Sequence, residues 1–347
     1  MAWNRTLLGS GLACLASLVT TVAAATDDVD ASRSRELHLG LAPSVLKIEA
    51  ALPGRYAVGS ALVVGPELVV TNCHVTRDAR AIEVLHGGLR YPVRGQRADM
   101  ARDLCLLRAP GLGAKPVKLG AASSLRRRQP MLAIGYTGGA GLQFSEGELV
   151  DTHRLDDGAV IQSSNWFSSG ASGGGLFDAE GKLVGVLTFR LRGGERHYYS
   201  APVEWLRALV DAPLSDERPV APLSGQTFWE LRDERQPPFL RAAALVQGAE
   251  WEQLLDVALR WAADDATDPE PQRLLGLALT RLERPAEAVV AYQRALALDA
   301  GDAPSWFQLG ALQHRLGQDA QARAALEQLD ALDTELAQRL QARLRAQ

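Results

Sequence analysis

The chain has 347 residues, 47% apolar and 22% charged, with 32 glycines, 17 prolines and 6% aromatic residues. That length suggests two domains with apolar material for two cores, and the proportions exclude a disordered, collagen-like or polytopic membrane protein. The formal charge of −4, from 37 basic and 41 acidic residues, lacks the basic excess of a nucleic-acid binder.

The first 25 residues read as a secretory signal. Arg5 gives a positive start, Leu7 to Val22 is uncharged, and Ala23-Ala24-Ala25 precedes Thr26-Asp27-Asp28. About 20 apolar residues just span a bilayer, so an uncleaved anchor is the alternative. Gly9, Ser10, Gly11, Ser17, Thr20 and Thr21 dilute the segment and favour cleavage, and Gly11-Leu12-Ala13 before Cys14 fits a lipoprotein signal poorly. A periplasmic or secreted protein is expected, with no membrane insertion after cleavage. Only Cys73 and Cys105 then remain, in an oxidising compartment. They read either as a disulfide or as two small buried apolar side chains.

From 41 to 210 the chain alternates Gly-rich turns with short apolar runs, among them Ser44–Glu49, Ala57–Val64, Leu68–Thr71, Leu104–Leu107, Met131–Tyr136, Ala159–Gln162, Leu183–Phe189 and Tyr198–Ala201. Many short strands predict an all-β sandwich or barrel, with one helix over Val203–Val210 at its end. Residues 211–238 carry Pro213, Pro219, Pro222, Pro237 and Pro238 and read as a linker, whose Trp229 is expected to dock on a neighbouring domain.

Residues 239–347 contain no Ile and are rich in Ala, Leu, Arg, Glu and Gln, which favours helices. Leu275-Gly276 recurs as Leu309-Gly310, Ala288 as Ala322 and Tyr292 as Leu326, each 34 residues on. This pattern resembles the tetratricopeptide repeat, an all-α stack of antiparallel helix pairs, with a weaker copy around Ala242, Gly248, Leu254 and Ala258 and a capping helix over about 334–346. The change of composition predicts that the β-rich part still folds when residues 239–347 are removed.

Three segments of the β-rich half carry chemistry. An apolar strand, 68–72, runs into Cys73-His74-Val75; Arg102-Asp103 leads the apolar run 104–107; and Ser172 sits in Gly170-Ala171-Ser172-Gly173-Gly174. A serine hydroxyl is a weak nucleophile, so an imidazole must take its proton as it attacks a carbonyl, and a buried carboxylate must fix the imidazole tautomer. The glycines permit a tight turn in which the N–H groups of Gly170 and Ser172 face a developing oxyanion. Asp99 is the rival carboxylate, but Asp103 directly leads the apolar strand. Since Asp103 has to reach His74, Cys105 is expected to face the His74 segment and pair with Cys73.

The chain order His, Asp, Ser is that of trypsin-like proteases. The stretch from Val160 to Gly174, together with Thr71-Asn72-Cys73-His74-Val75 and Asp103-Leu104-Cys105-Leu106-Leu107, resembles the high-temperature-requirement (Deg-type) serine proteases over roughly 41–210. The resemblance implies a double-barrel peptidase with its cleft between two six-stranded barrels. Ala171 departs from the Asp of trypsins and the Asn common in Deg-type enzymes, so something else must hold the oxyanion turn. The position six before the nucleophile is Trp166 rather than an acid, and Val186 to Phe189 is expected to form the pocket wall. Trp166, Leu187 and Thr188 are therefore the candidate substrate pocket, for a small or apolar residue. Helical repeats stand where such enzymes carry PDZ domains.

No metal or cofactor site is predicted: His38, His86, His153, His197 and His314 lack ligand spacing, and Gly138-Gly139-Ala140-Gly141 lacks the helix and Lys of a phosphate loop. The expected activity is that of an exported serine endopeptidase acting on protein or peptide substrates, with repeats that bind a protein partner. A protease fold that no longer cleaves and serves as a binding scaffold is the alternative.

Overall fold

The computed structural model describes residues 35–138, 141–191 and 197–346, so the predicted signal lies outside the described residues. Val45–Leu52 (β1), Arg55–Gly65 (β2), Leu68–Thr71 (β3), Ala81–His86 (β4), Leu89–Pro92 (β5), Gly95–Asp99 (β6) and Leu104–Arg108 (β7) form one antiparallel sheet, ordered β5-β4-β1-β2-β3-β7-β6. In β1 the buried Val45, Leu46, Ile48 and Ala50 are interleaved with the half-buried Lys47 and Glu49, the period-two pattern of a sheet with one face in a core. Leu46, Ile48, Val63, Val69 and Leu107 share that core.

The resemblance implied six strands here, and seven are present. Val93 N–H donates to Ile82 O of β4 while the next residue, Arg94, donates to Arg108 O of β7, both at 2.9 Å. β5 and β6 are thus two legs of one strand, bent so sharply at 93–94 that each leg pairs with a different neighbour. Counted as one, they restore six strands and carry the sheet round on itself.

Pro130–Thr137 (β8), Gly141–Leu155 (β9), Gly158–Ser163 (β10), Gly175–Phe177 (β11), Leu183–Arg190 (β12) and Tyr198–Pro202 (β13) close into a six-stranded barrel. Met131, Ile161, Phe167, Leu176 and Leu187 fill it. Among the helices that accompany the strands are a single turn Cys73–Thr76 (α1) directly after β3 and Val203–Asp211 (α2) after β13.

The segment after α2 does not hang free. Gln96 and Arg218 exchange backbone hydrogen bonds of 2.7 and 2.9 Å, and the Gln96 amide donates to Ala221 O at 2.7 Å. Arg108 grips Glu217 at 2.9 Å. The segment covers the open edge of β6, which would otherwise present unpaired backbone groups.

Helices begin at Pro238, one residue before the predicted start: Pro238–Gln247 (α3), Trp251–Asp264 (α4), Pro269–Arg281 (α5), Pro285–Leu298 (α6), Ala303–Arg315 (α7), Asp319–Leu332 (α8) and Thr334–Arg345 (α9). Gly276 on α5 faces Tyr292 on α6 so closely that a Cβ would lie 2.7 Å from the ring, and Gly310 on α7 meets Leu340 of α9 in the same way. The repeated Leu-Gly therefore marks the points of closest helix approach. One continuous apolar cluster runs from Leu132, Phe177 and Tyr199 of the barrel through Phe228 and Phe239 to Leu254 and Leu275 of the helices.

Candidate active site

His74 does not end a strand, as its apolar approach suggested; it lies in α1, the turn that follows β3. That turn aims both its backbone and its ring at Asp103. His74 N–H donates to Asp103 Oδ1 at 2.8 Å, and Nδ1 lies 2.6 Å from Oδ2. Asp103 is fully buried and takes the left-handed conformation (φ 60°), rare outside glycine, while its own carbonyl accepts from Asn72 Nδ2 at 3.0 Å and from Cys73 N at 3.3 Å. Strain of this sort persists only where surroundings over-determine it. Asp99 is engaged elsewhere, accepting from Arg102 N–H at 3.1 Å.

Cys73 and Cys105 form a disulfide with Cα atoms 5.0 Å apart, and Cys105 pairs in register with Thr71 of β3. The bridge ties the His74 turn to the strand that follows Asp103.

Ser172 is half-buried in the turn between β10 and β11, its Oγ donating to Thr188 O at 3.3 Å. Among the described residues no hydrogen bond joins Oγ to His74, and none is donated by the N–H groups of Gly170 or Ser172.

Ser60, on β2, holds this turn in the place of the side chain that Ala171 lacks. Its N–H donates to Ser172 O and its hydroxyl to Gly170 O, each at 2.8 Å, while the hydroxyl accepts from Tyr136 N–H at 2.7 Å. Gly170 and Gly173 have φ of 98° and 87°, and a Cβ at Gly173 would run into the Ser60 carbonyl. Ala171 itself is buried against Gly135.

Of the three predicted pocket residues, Trp166 and Leu187 line one recess of about 180 Å³ with Phe144, Phe167 and Ala171. Leu187 points into the barrel core. Thr188 does not line the recess. Its hydroxyl donates to Val186 O at 2.7 Å and accepts from Asn72 and Ala201, so only its carbonyl reaches Ser172.

Residues 59–186 match the trypsin-like peptidase domain family, and residues 274–302 and 291–324 match the tetratricopeptide repeat. The anti-sigma-I factor RsgI9 of Acetivibrio thermocellus is 32% identical over 163 residues, covering 45% of this chain and 23% of that protein. Serine protease HTRA4 of Homo sapiens is 30% identical over 174 residues, 44% of this chain and 36% of its own length. Serine protease PepD of Mycobacterium tuberculosis is 28% identical over 214 residues, 54% and 45%. The chain carries a trypsin-like peptidase domain followed by tetratricopeptide repeats. It spans less than half the length of each of these relatives.

The peptidase domain and the repeats meet along a buried charged seam. On β9, Asp151 pairs with Arg127 at 2.8 Å and with Arg273 of α5 at 2.7 Å, and Arg127 reaches Asp302 at 3.3 Å. His153, also on β9, places Nδ1 2.9 Å from Glu270 of α5 and Nε2 2.9 Å from Gln162 Oε1, and its ring stacks on Phe239 of α3 at 4.6 Å. Burial pushes the His153 imidazole down, but Glu270 outweighs it and holds the group above its ordinary value. Burial likewise pushes the Asp151 carboxyl up, and Arg273 and Arg127 more than reverse it. His153 is thus a structural residue of the seam and lies outside the active site.

Sequence reasoning passed over two groups around the site. Ser60 is a polar residue inside the apolar run of β2, and that misfit was its only signal. Trp229 was expected to dock without a stated target; its indole N–H donates to Asp103 Oδ2 at 3.0 Å.

Proposed function

We propose that the chain is an exported serine endopeptidase working through His74, Asp103 and Ser172, with repeats that engage a protein partner or substrate. The contact of 2.6 Å between His74 Nδ1 and a buried Asp103 carboxylate carries this reading, because it leaves Nε2 as the base for a serine. Ser172 Oγ attacks a peptide carbonyl as His74 takes its proton, and the acyl-enzyme is then hydrolysed by water. The N–H groups of Gly170 and Ser172 receive the oxyanion, each such donor being worth roughly 2.7–4 kcal/mol of barrier. The recess beside Trp166, walled by Phe144, Phe167 and Leu187 with Thr137, Gln143 and Ser145 among its other lining residues, supports a small or apolar side chain before the cleaved bond. The signal-like N-terminus and the Cys73–Cys105 bridge support export.

The bond from Ser172 Oγ to Thr188 O favours a second reading, a protein-binding scaffold with no cleavage. A neutral hydrogen bond is worth about 1 kcal/mol net, so this one restrains the hydroxyl only weakly. Labelling by a fluorophosphonate probe tests the two. The enzyme reading expects labelling that disappears in Ser172→Ala, with kcat losses on the order of 10⁴–10⁶ for Ser172→Ala and His74→Ala and little further loss in the double variant. Absence of labelling in the folded, oxidised chain leaves the scaffold.

A further inference from the structure

We propose that Trp229, brought in by the segment between the peptidase domain and the repeats, is a positioning residue for the His74–Asp103 pair. This rests on the serine-peptidase reading of the site. Asp103 Oδ2 accepts two hydrogen bonds, from His74 Nδ1 and from Trp229 Nε1, and Oδ1 accepts from His74 N–H. Among the described residues these are the donors to a carboxylate with no exposure to water. The Thr188 hydroxyl donates to Val186 O, so among the described residues it does not stand in for the indole.

The ring is fixed on two sides. Its edge meets the His74 imidazole at 90° with centroids 5.3 Å apart, and its face lies on Phe189 at 15° and 5.3 Å. The backbone around it is clamped to both loops of the pair. Phe228 N–H donates to Ala101 O at 2.9 Å, two residues before Asp103. Glu230 makes a two-point pair with Arg77, three residues after His74, at 2.5 and 2.8 Å. Burial pushes the Glu230 carboxyl up, and Arg77 overrides this to keep it ionised below the ordinary carboxylate range. Residues 227–230 therefore form a strap across the His–Asp half of the site.

A donor on Oδ2 has two effects. It holds the carboxylate in the plane that His74 Nδ1 needs, and it draws off charge that would otherwise stabilise the imidazolium. Without the N–H, Asp103 interacts more strongly with protonated His74 and is free to rotate. The other charges facing the pair are Arg77 with Glu230 and Asp78, and Arg102 with Asp99. All of them remain in Trp229→Phe, which keeps an aromatic face for Phe189 and removes the donor.

The test is an NMR titration of the full chain with labelled histidine, the His74 signal being the one lost in His74→Ala. In Trp229→Phe the His74 midpoint is expected to rise by roughly half to one pH unit. The acid limb of kcat/KM should move with it, with kcat down about tenfold and KM within about twofold. A His74 midpoint unchanged in Trp229→Phe overturns the proposal, whatever happens to the melting temperature. Should that variant fail to fold, the wild-type indole ¹⁵N–H of Trp229 decides: a shift that follows the His74 titration supports the contact, and an invariant shift overturns it. Both titrations read His74 without turnover, so a chain that no fluorophosphonate labels sinks the peptidase reading separately.

Discussion

Ser60→Ala tests whether the oxyanion turn is held from β2. The hydroxyl is fully buried and satisfies two groups at once, the carbonyl of Gly170 and the N–H of Tyr136. Removing it leaves both half-buried partners unpaired, at about 1–2 kcal/mol each. A loss of roughly 2–4 kcal/mol should lower the melting temperature by about 5–15 °C for a domain of this size. The catalytic effect is separate. Gly170 sits at φ 98° and depends on that bond for its orientation, so its N–H loses alignment. With one oxyanion donor worth 10²–10³ in rate, kcat should fall about 10²-fold while KM changes little. Thr71→Val is the control, since Thr71 Oγ1 donates to Ser60 O at 2.7 Å without touching Gly170. It should lower stability and spare kcat. The assay is peptide hydrolysis and fluorophosphonate labelling rate, both far below the melting temperature. A Ser60→Ala enzyme with kcat within twofold of wild type refutes this account of the turn.

Cys73→Ser should destabilise by about 2–4 kcal/mol, and reductant should reproduce the loss in the unaltered chain; two thiols at 73 and 105 that alkylate in the denatured, non-reduced protein would refute the bridge. Because Glu270 holds His153 above its ordinary 6.5, protonation of His153 stabilises the fold. That contribution is whole below about pH 6.5 and fades as pH rises through the elevated folded value, so denaturant curves of Glu270→Gln should lose this pH dependence; parallel profiles for the two proteins would count against the seam. Removing residues 239–347 strips Phe239 from His153 and Tyr199, and the truncated chain should melt roughly 10 °C or more below the full one. An unchanged melting temperature would restore the simpler expectation that the β-rich part is self-sufficient.

The triad candidates were legible because each sits beside its own apolar strand, and short-range patterning is what sequence carries best. The eight apolar runs picked out between 44 and 201 all fall within or across observed strands. The strands β4, β5, β6 and β9 were not picked out, and β9 shows why a strand can escape notice. β9 spans Gly141–Leu155 and shows most of its residues half-exposed or exposed, with Asp151 and His153 turned to the seam, so its polar composition reads as loop. A strand that buries charge against another domain has no apolar signature. The same holds for Trp229: its partner Asp103 is 126 residues away, and nothing local in a Pro-rich stretch announces it. The 34-residue repeat was readable since a glycine recurs only where two helices touch, as Gly276 does against Tyr292.

The seam also changes what the linker can mean. A slack connection of 28 residues, 211–238, would leave a partner bound to the repeats at an effective concentration in the millimolar range and in no fixed direction. Here the segment is paired to β6 through Gln96 and Arg218, strapped over Asp103 by Trp229, and followed by helices whose buried Glu270 and half-buried Arg273 pair with β9. Such ion pairs add little net stability after desolvation, but breaking one leaves an uncompensated buried charge costing about 3–5 kcal/mol, which makes the relative placement of the two parts specific. A protein engaged by the repeats would therefore be held in one orientation to Ser172. Pro237 joins α3 directly to the segment that carries Trp229 onto Asp103. The contact with Asp103 and the docking of the repeats thus share one stretch, the one whose composition looked least structured.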